Sequence, residues 1–173
     1  MDDKINNVNI VKTRDIWVIS DNHFGHHNII RYCDRPFDSV DHMNEIMIQN
    51  WNSVVKDGDI VYNLGDIYIG GSGQVLHRLK GRKRLILGNH DNGKDQYLQR
   101  HFQKIDVWRM FPEFGLVLTH VPIHMGEDES IRKYELCVHG HIHQHNLKSN
   151  KHRNVSVEQI NYTPIHIEEL RVK

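Results

Sequence analysis

The sequence predicts an α/β fold in which short buried strands form sheets flanked by helices. Five short runs rich in Val, Ile and Leu end at Gly or a polar residue, as strands covered on both faces do. These runs are residues 16–20, 60–64, 84–87, 116–119 and 136–139. Segments of helical character separate several of the runs, and this alternation is typical of α/β domains.

The remaining elements follow from apolar spacing and turn residues. Three segments are predicted as helices: residues 40–55, 74–80 and 94–102. In the first of these, Met43, Met47 and Trp51 recur near helical spacing. Residues 105–111 and 115–119 are typical of a β-hairpin that turns at Pro-Glu-Phe-Gly.

Length and composition predict one domain over residues 1–173. A chain of this length can bury a sizeable core, and its 22 basic and 22 acidic residues cancel, so net charge alone does not attract nucleic acid. No apolar run approaches the roughly 20 residues of a membrane span, and the first residues lack a signal-peptide pattern. We therefore expect a cytoplasmic location. Cys33 and Cys137 are too few for a structural zinc site or a disulfide framework.

Each of the five predicted strands leads into metal-binding side chains. In chain order these segments are Asp21-Asn22-His23, Gly65-Asp66, Gly88-Asn89-His90-Asp91, His120 and Gly140-His141-Ile142-His143. A lone Gly-Asp is mostly a turn, and a lone Asp-x-His is common by chance. In sheets flanked by helices, however, ligands bind in the crevice outside the carboxyl ends of the strands. The five strand ends are therefore expected to converge on one pocket.

The donor types favour borderline divalent transition metals. A mixed set of imidazole and oxygen ligands without thiolate suits Mn, Fe, Zn or Ni, with Mg less suited and Mn favoured in vitro. The five segments offer enough ligands for two ions. Two cations about 3.5 to 4 Å apart can hold the attacking and leaving oxygens of a displacement at phosphorus, and they lower the pKa of a bridging water toward about 7.

With these motifs the chain resembles a calcineurin-like metallophosphoesterase. The D-x-H, G-D, G-N-H-D, H and G-H-x-H blocks span residues 16–143, and residues 154–170 resemble the end of the small, uncapped bacterial and phage members. That end has a final strand, a turn over residues 161–164 and a short terminal helix. The resemblance implies the αββα fold, with two mixed β-sheets packed as a sandwich flanked by helices.

The resemblance also implies two metal sites that share one carboxylate. The implied ligands of the first metal are Asp21, His23, Asp66 and His143. The implied ligands of the second metal are Asp66, Asn89, His120 and His141. Asp66 is then the bridge, and a neutral Asn89 amide leaves its metal more electrophilic than a third carboxylate would.

The third block leaves His90 free for chemistry. Its ring can donate a hydrogen bond to phosphate or protonate the leaving oxygen, with Asp91 as an orienting partner for that ring. Asn22, His26 and His27 are candidate donors to the substrate phosphate. For the two histidines, the alternative is a solvated loop or a helix N-terminus.

We predict a phosphoesterase that uses two metals and a metal-bridging hydroxide to hydrolyse a P–O bond, with diesters preferred over monoesters. Protein phosphatases of the family carry an Arg after the second block and a Glu after the Asn-His, both absent here. Of the nearby arginines, Arg31 and Arg35 are expected to be surface groups at a helix end. The alternatives are a phosphomonoesterase acting on a nucleotide or small molecule, and a metal-binding scaffold without catalysis. The expected partner is a phosphate ester, with nucleotides and nucleic acids both open and no membrane.

Overall fold

The first of two mixed β-sheets carries most of the helices. The structure, a computed structural model, describes residues 14–126 and 134–172. This sheet contains β1 (Ile16–Ile19), β2 (Ile60–Asn63), β3 (Arg82–Ile86), β4 (Phe102–Asp106) and β9 (Ile165–His166), in the order β4-β3-β2-β1-β9. Strands β1 to β4 are parallel, and β9 runs antiparallel to β1. The carboxyl ends of β1, β2 and β3 therefore lie at one edge.

The second sheet brings two more strands to the same region. It contains β5 (Trp108–Phe111), β6 (Leu116–Thr119), β7 (Leu136–His139) and β8 (His152–Asn154), in the order β5-β6-β7-β8. Strand β5 is antiparallel to β6, whereas β6, β7 and β8 are parallel. A parallel bridge between Ser20 and Ser156 ties the end of β1 to the segment after β8.

In the described part of the chain, three α-helices and several 3-10 segments connect the strands. The helices are α1 (His27–Tyr32), α2 (Val40–Val54) and α3 (Gln96–His101). The 3-10 segments are Gly70–Arg78, Pro112–Phe114, Val157–Gln159 and Ile167–Leu170. Ser39 caps the N-terminus of helix α2. Its side chain accepts a hydrogen bond from the His42 amide and so satisfies one of the free N–H groups of the first turn.

The alternation of side chains along the strands divides the core into layers. Between the sheets, Val18 and Ile86 of the first sheet pack in one cluster with Leu118 of the second. Residues that point the other way, such as Ile19, belong to a second cluster with Trp51 and the rest of the apolar face of α2. The predicted fold, two mixed sheets packed as a sandwich with helices, is confirmed.

Two predicted elements differ from the observed ones. The strand predicted over residues 105–111 is divided at Val107, because Asp106 pairs with Leu87 in the first sheet while Trp108 begins a strand of the second. The hairpin is therefore shorter, formed by β5 and β6. The helix predicted over residues 74–80 is instead the 3-10 segment Gly70–Arg78, whose glycine-rich start has low α-helix propensity.

Among residues 14–126 and 134–172, none of the helices has the length and apolar character needed to cross a membrane.

Candidate metal centre

Five loops that follow strands meet at one edge of the sandwich, and backbone hydrogen bonds join four of them in pairs. The amide of Asp21 donates to the carbonyl of Gly65 (3.0 Å), and the amide of His23 donates to that of Asp66 (3.0 Å). The loops after β6 and β7 are joined by the amide of Gly140 and the carbonyl of His120 (2.9 Å). The predicted site residues are thus positioned by rigid strands rather than by a mobile loop.

The first cluster of candidate ligands contains Asp21, His23 and His143, whose ligand atoms all lie within 4.8 Å of one another. Asp21 is fully buried, and its carboxylate accepts hydrogen bonds from the His141 amide (2.9 Å) and the Ser156 hydroxyl (2.9 Å). The Nε2 atom of His23 is buried without a protein partner. A buried ring nitrogen without a hydrogen-bond partner is rare in proteins. A nitrogen of this kind, close to a carboxylate, is available to bind a metal ion.

The second cluster contains Asp66, His120 and His141, again with ligand atoms within 4.8 Å of one another. The Oδ1 atom of Asn89 lies between two of them, 2.8 Å from His120 Nε2 and 2.9 Å from His141 Nδ1. The other ring nitrogen of His120, Nδ1, lies 2.8 Å from the Leu64 carbonyl oxygen. A neutral ring carries one proton, and if Nδ1 donates it to Leu64, Nε2 is left free to bind a metal ion.

Asp66 lies between the two clusters. Its Oδ2 atom is 3.7 Å from His23 Nε2 and 3.5 Å from His120 Nε2. Its Oδ1 atom accepts a hydrogen bond from the His90 amide (2.9 Å), which fixes the plane of the carboxylate. The mixed imidazole, carboxylate and amide donors fit divalent transition metals in both clusters.

The backbone at the centre is unusual. Among the described residues, eight non-glycine residues have a positive φ, and five of them are candidate ligands: Asp21, His23, Asp66, His141 and His143. Such a conformation is uncommon for residues with a Cβ and persists only where surrounding contacts impose it. The strain is concentrated where ligand side chains must turn inward immediately after a strand.

Glycine at position 140 is a steric requirement of the first cluster. A methyl group added there would overlap the side chains of Ser20 and Asp21. The Gly of the last block is thus part of the packing around the Asp21 carboxylate, beyond its role in the turn.

Sequence reasoning missed a buried support beneath the first cluster, formed by Arg35 and Glu158. Arg35 was expected to be a surface group but is 4% exposed, because its guanidinium donates to the carbonyls of Asp21 (2.8 Å) and Asn22 (2.9 Å). It also pairs with Glu158 (2.8 Å). The same carboxylate oxygen lies 3.1 Å from His143 Nδ1. Arg35 and Glu158 are 123 positions apart, so no local sequence pattern indicates that the two residues pair.

The surroundings of the two histidines of the first cluster shift their pKa values in opposite directions. Burial, together with the nearby charges of His143 and Arg35, lowers the pKa of His23 to about 2, so this ring is neutral and able to ligate. Burial also opposes a charge on His143, but hydrogen bonds with Cys33 and Glu158 outweigh it and raise its pKa to about 10. A metal at this ring must therefore displace a proton.

The structure gives Asp91 a role different from the predicted one. Its carboxylate accepts hydrogen bonds from the amides of Asp66 (2.8 Å), Ile67 (3.2 Å) and Gly88 (2.9 Å), so it braces the second block rather than orienting the His90 ring. Burial raises the pKa of Asp91, and these amides work against that rise. His90 itself is exposed, with its ring centroid 5.5 Å from that of His23.

The three predicted phosphate donors occupy different environments. Asn22 is fully buried, and its side-chain oxygen accepts a hydrogen bond from Asn63 (2.6 Å), whereas its amide nitrogen has no hydrogen-bond partner. His26 is partly buried, with Nδ1 3.4 Å from His23 Nδ1. His27 is exposed at the first position of α1.

The fold and this cluster define a class of protein, the metal-dependent phosphoesterases built on a two-sheet sandwich. The family model for calcineurin-like phosphoesterases matches residues 14–172, and the chain belongs to that family. The family implies metal-dependent phosphoester hydrolysis.

Similar proteins come from archaea, phages and bacteria. The chain is 36% identical over 167 residues to the uncharacterized protein MJ1445 of Methanocaldococcus jannaschii, covering 90% of this chain and 88% of the relative. It is 30% identical over 159 residues to the Gene 66 protein of Mycobacterium phage L5, covering 73% of this chain and 76% of the relative. The crystal structure of AQ665, a protein of unknown function from Aquifex aeolicus, aligns with a TM-score of 0.72 at 26% identity, covering 91% of this chain and 98% of that one.

Proposed function

We propose that this protein is a phosphodiesterase that uses two divalent metal ions. The observation that carries the proposal is the position of Asp66, one of whose oxygens faces a histidine of each cluster while the other is held by the His90 amide. A carboxylate placed in this way can bridge two ions. A site for one ion would use the donors of only one of the two clusters.

The two clusters suggest which residues hold each ion. The first ion would be held by Asp21, His23, Asp66 and His143. The second ion would be held by Asp66, Asn89, His120 and His141. Transition metals bound there, with Mn the favoured candidate, would supply a nucleophile at neutral pH by lowering the pKa of water and would neutralise charge on the phosphate.

His90 is the candidate acid for the leaving oxygen. Its side chain is exposed beside His23, and its own amide is fixed by Asp66. An exposed imidazole can protonate an alkoxide as the P–O bond breaks. Asp91, whose carboxylate accepts hydrogen bonds from the amides of Asp66, Ile67 and Gly88, would support the loop that carries His90.

The arginine geometry supports a preference for diesters. A monoester dianion carries more charge than a diester and is usually gripped by a guanidinium. Arg35 cannot serve, because its side chain is buried and donates to Glu158 and to two backbone carbonyls. A diester monoanion carries less negative charge. The metals and neutral donors can supply enough positive charge to hold it. A monoesterase is the alternative.

The test compares substrates and metal content on the same preparation. Metal-loaded protein should hydrolyse bis-(p-nitrophenyl) phosphate with a higher kcat/KM than p-nitrophenyl phosphate, and elemental analysis should find close to two ions per chain. Chelation should abolish both activities, with Mn restoring them better than Mg. A clear advantage for the monoester would refute the diester preference, and one tightly bound ion in fully active enzyme would refute the pair of metals.

A further inference from the structure

An apolar cleft of about 620 Å³ opens beside the candidate metal centre. Its lining includes Asn89 and His120, both candidate ligands of the second ion. Trp108, Val121 and Tyr134 also line it. The cleft is therefore continuous with the site rather than a separate feature, and its volume is within the range of small-molecule pockets.

The cleft exposes large apolar side chains. Val107, Trp108 and Val121 are 67%, 52% and 44% exposed, and they make up half of the six large hydrophobic residues that are exposed in the described part of the chain. Single exposed apolar residues need no explanation, but a group of them around a concave surface marks a binding site.

Strand pairing fixes Trp108 in this position. It lies opposite Thr119 across β5 and β6, and Met110 lies opposite Val117 in the same antiparallel ladder. Residues opposite one another project from the same face of a sheet. Trp108 and Met110 therefore present their side chains on the outer face of the second sheet, next to the end of β6 that carries His120.

The charge of the cleft limits what it can bind. Among the described residues that line it, none is Asp, Glu, Lys or Arg. A charged group placed there would lose its hydration without gaining a partner, whereas a flat aromatic group would contact the indole of Trp108 and the neighbouring valines.

His90 and the cleft border different clusters of the centre. The His90 ring packs against His23 of the first cluster, whereas the cleft borders Asn89 and His120 of the second. If His90 protonates the leaving oxygen, the leaving group lies on its side. The substituent that remains on phosphorus is then the one that can reach the cleft.

We infer that this cleft binds the aromatic base of a nucleoside that stays esterified to phosphorus during hydrolysis, with Trp108 as the stacking platform. The inference rests on the proposed phosphodiesterase function and narrows its substrate class to diesters of nucleosides. Base stacking on an aromatic side chain tolerates any base, so the cleft selects a nucleoside without reading its identity.

Three diesters with one leaving group test the inference. Methyl p-nitrophenyl phosphate, bis-(p-nitrophenyl) phosphate and the p-nitrophenyl ester of thymidine monophosphate all release p-nitrophenolate and differ in the retained group. Trp108→Ala should lower kcat/KM for the thymidine ester by about 5-fold or more, the scale of one stacking contact, and leave the methyl ester within about 2-fold. Trp108→Phe should recover most of the loss. A larger loss for the diphenyl ester than for the thymidine ester would show an aryl site and overturn the nucleoside assignment.

Tyr32→Ala is the matched control. Tyr32 is 58% exposed and does not line the cleft, and its ring centroid is 6.2 Å from that of His26. This variant should keep the ratio between the thymidine and methyl esters. If Tyr32→Ala changes that ratio more than Trp108→Ala does, or if Trp108→Ala slows all three esters equally, the inference is wrong.

A binding measurement separates the inference from the proposed function. Thymidine alone, titrated into ¹⁵N-labelled protein, should shift the indole N–H resonance of Trp108 and leave those of Trp17 and Trp51 in place, with Trp108→Phe providing the assignment. A shift of that resonance in protein that cleaves no diester would refute the phosphodiesterase and uphold the cleft. The absence of a shift in active enzyme would refute the cleft alone.

Discussion

Replacing Glu158 with Gln should weaken metal binding at the first cluster without changing the side-chain shape. The Glu158 oxygen that faces His143 (3.1 Å) also accepts from Arg35 (2.9 Å), so an amide oxygen can occupy the same place without the negative charge. A partner of this kind orients a ligating histidine and raises its basicity, and its loss typically lowers metal affinity 10-fold to 100-fold. We therefore expect Glu158→Gln to lower the affinity for one ion by about 10-fold to 100-fold.

The same substitution should also destabilise the metal-free protein. Arg35 is buried, and it would lose its only described carboxylate partner while keeping its bonds to two carbonyls. Removing one partner of a buried ion pair costs about 3–5 kcal/mol, and the retained amide hydrogen bond should reduce that cost. We expect the free energy of unfolding to fall by about 1–3 kcal/mol.

Competition with a chromogenic chelator and denaturant unfolding of the metal-free protein measure the two effects. Glu168→Gln is the matched control, since Glu168 pairs with Arg171 at the surface (2.6 Å), where solvent screens the charges and such pairs contribute little to stability. If Glu158→Gln binds both ions as tightly as the unaltered protein does, Glu158 does not position His143, and the reasoning fails.

The remaining predictions concern the bridge, the acid, the last glycine and pH. Asp66→Asn should lose metal and activity together, as measured by elemental analysis and diester hydrolysis. His90→Ala should keep its metal and lose roughly 10² to 10⁴ in kcat. Loss of metal in His90→Ala would contradict the proposed role of His90. Gly140→Ala should displace Asp21 and reduce bound metal, while a fully loaded variant would show that the turn can adjust. Calorimetry of metal-free protein should show Tm falling as pH drops below about 6.5. The pKa of His23 is about 2 in the folded protein and 6.5 in the unfolded chain, so the unfolded chain takes up the proton first and is favoured at lower pH. An unchanged Tm would contradict this prediction.

The sequence was informative about the ligands because each follows directly from a strand. A buried strand that ends in Gly and a polar residue has few alternatives in an α/β fold, and parallel strands place their carboxyl ends at one edge. The pattern therefore predicted both the sheets and the convergence of Asp21, Asp66 and His120, which the structure brings together. Strand boundaries differed by one or two residues, since hydrogen bonding rather than apolarity sets where a strand ends.

The supporting residues could not be predicted in this way. Arg35 follows α1 and looks like a surface residue at a helix end, but the fold places it against carbonyls of the first block and against Glu158. Asp91 was adjacent to His90 in sequence, so proximity favoured an interaction with that ring. The turn instead directs its carboxylate back to the amides of Asp66 and Gly88. Contacts between separate loops depend on backbone direction, which a single sequence does not show.

These supports also explain why the two halves of the centre can be perturbed separately. The segment after β8 supplies none of the ligands proposed for the two ions, yet Ser156 donates to Asp21 and Glu158 contacts His143, so it aligns the first cluster. The second cluster is held by other groups, since His120 contacts the Leu64 carbonyl. Asp66 belongs to both clusters and connects these two sets of supports. A substitution in the segment after β8 therefore acts first on the site for one ion, and only a change at Asp66 acts directly on both.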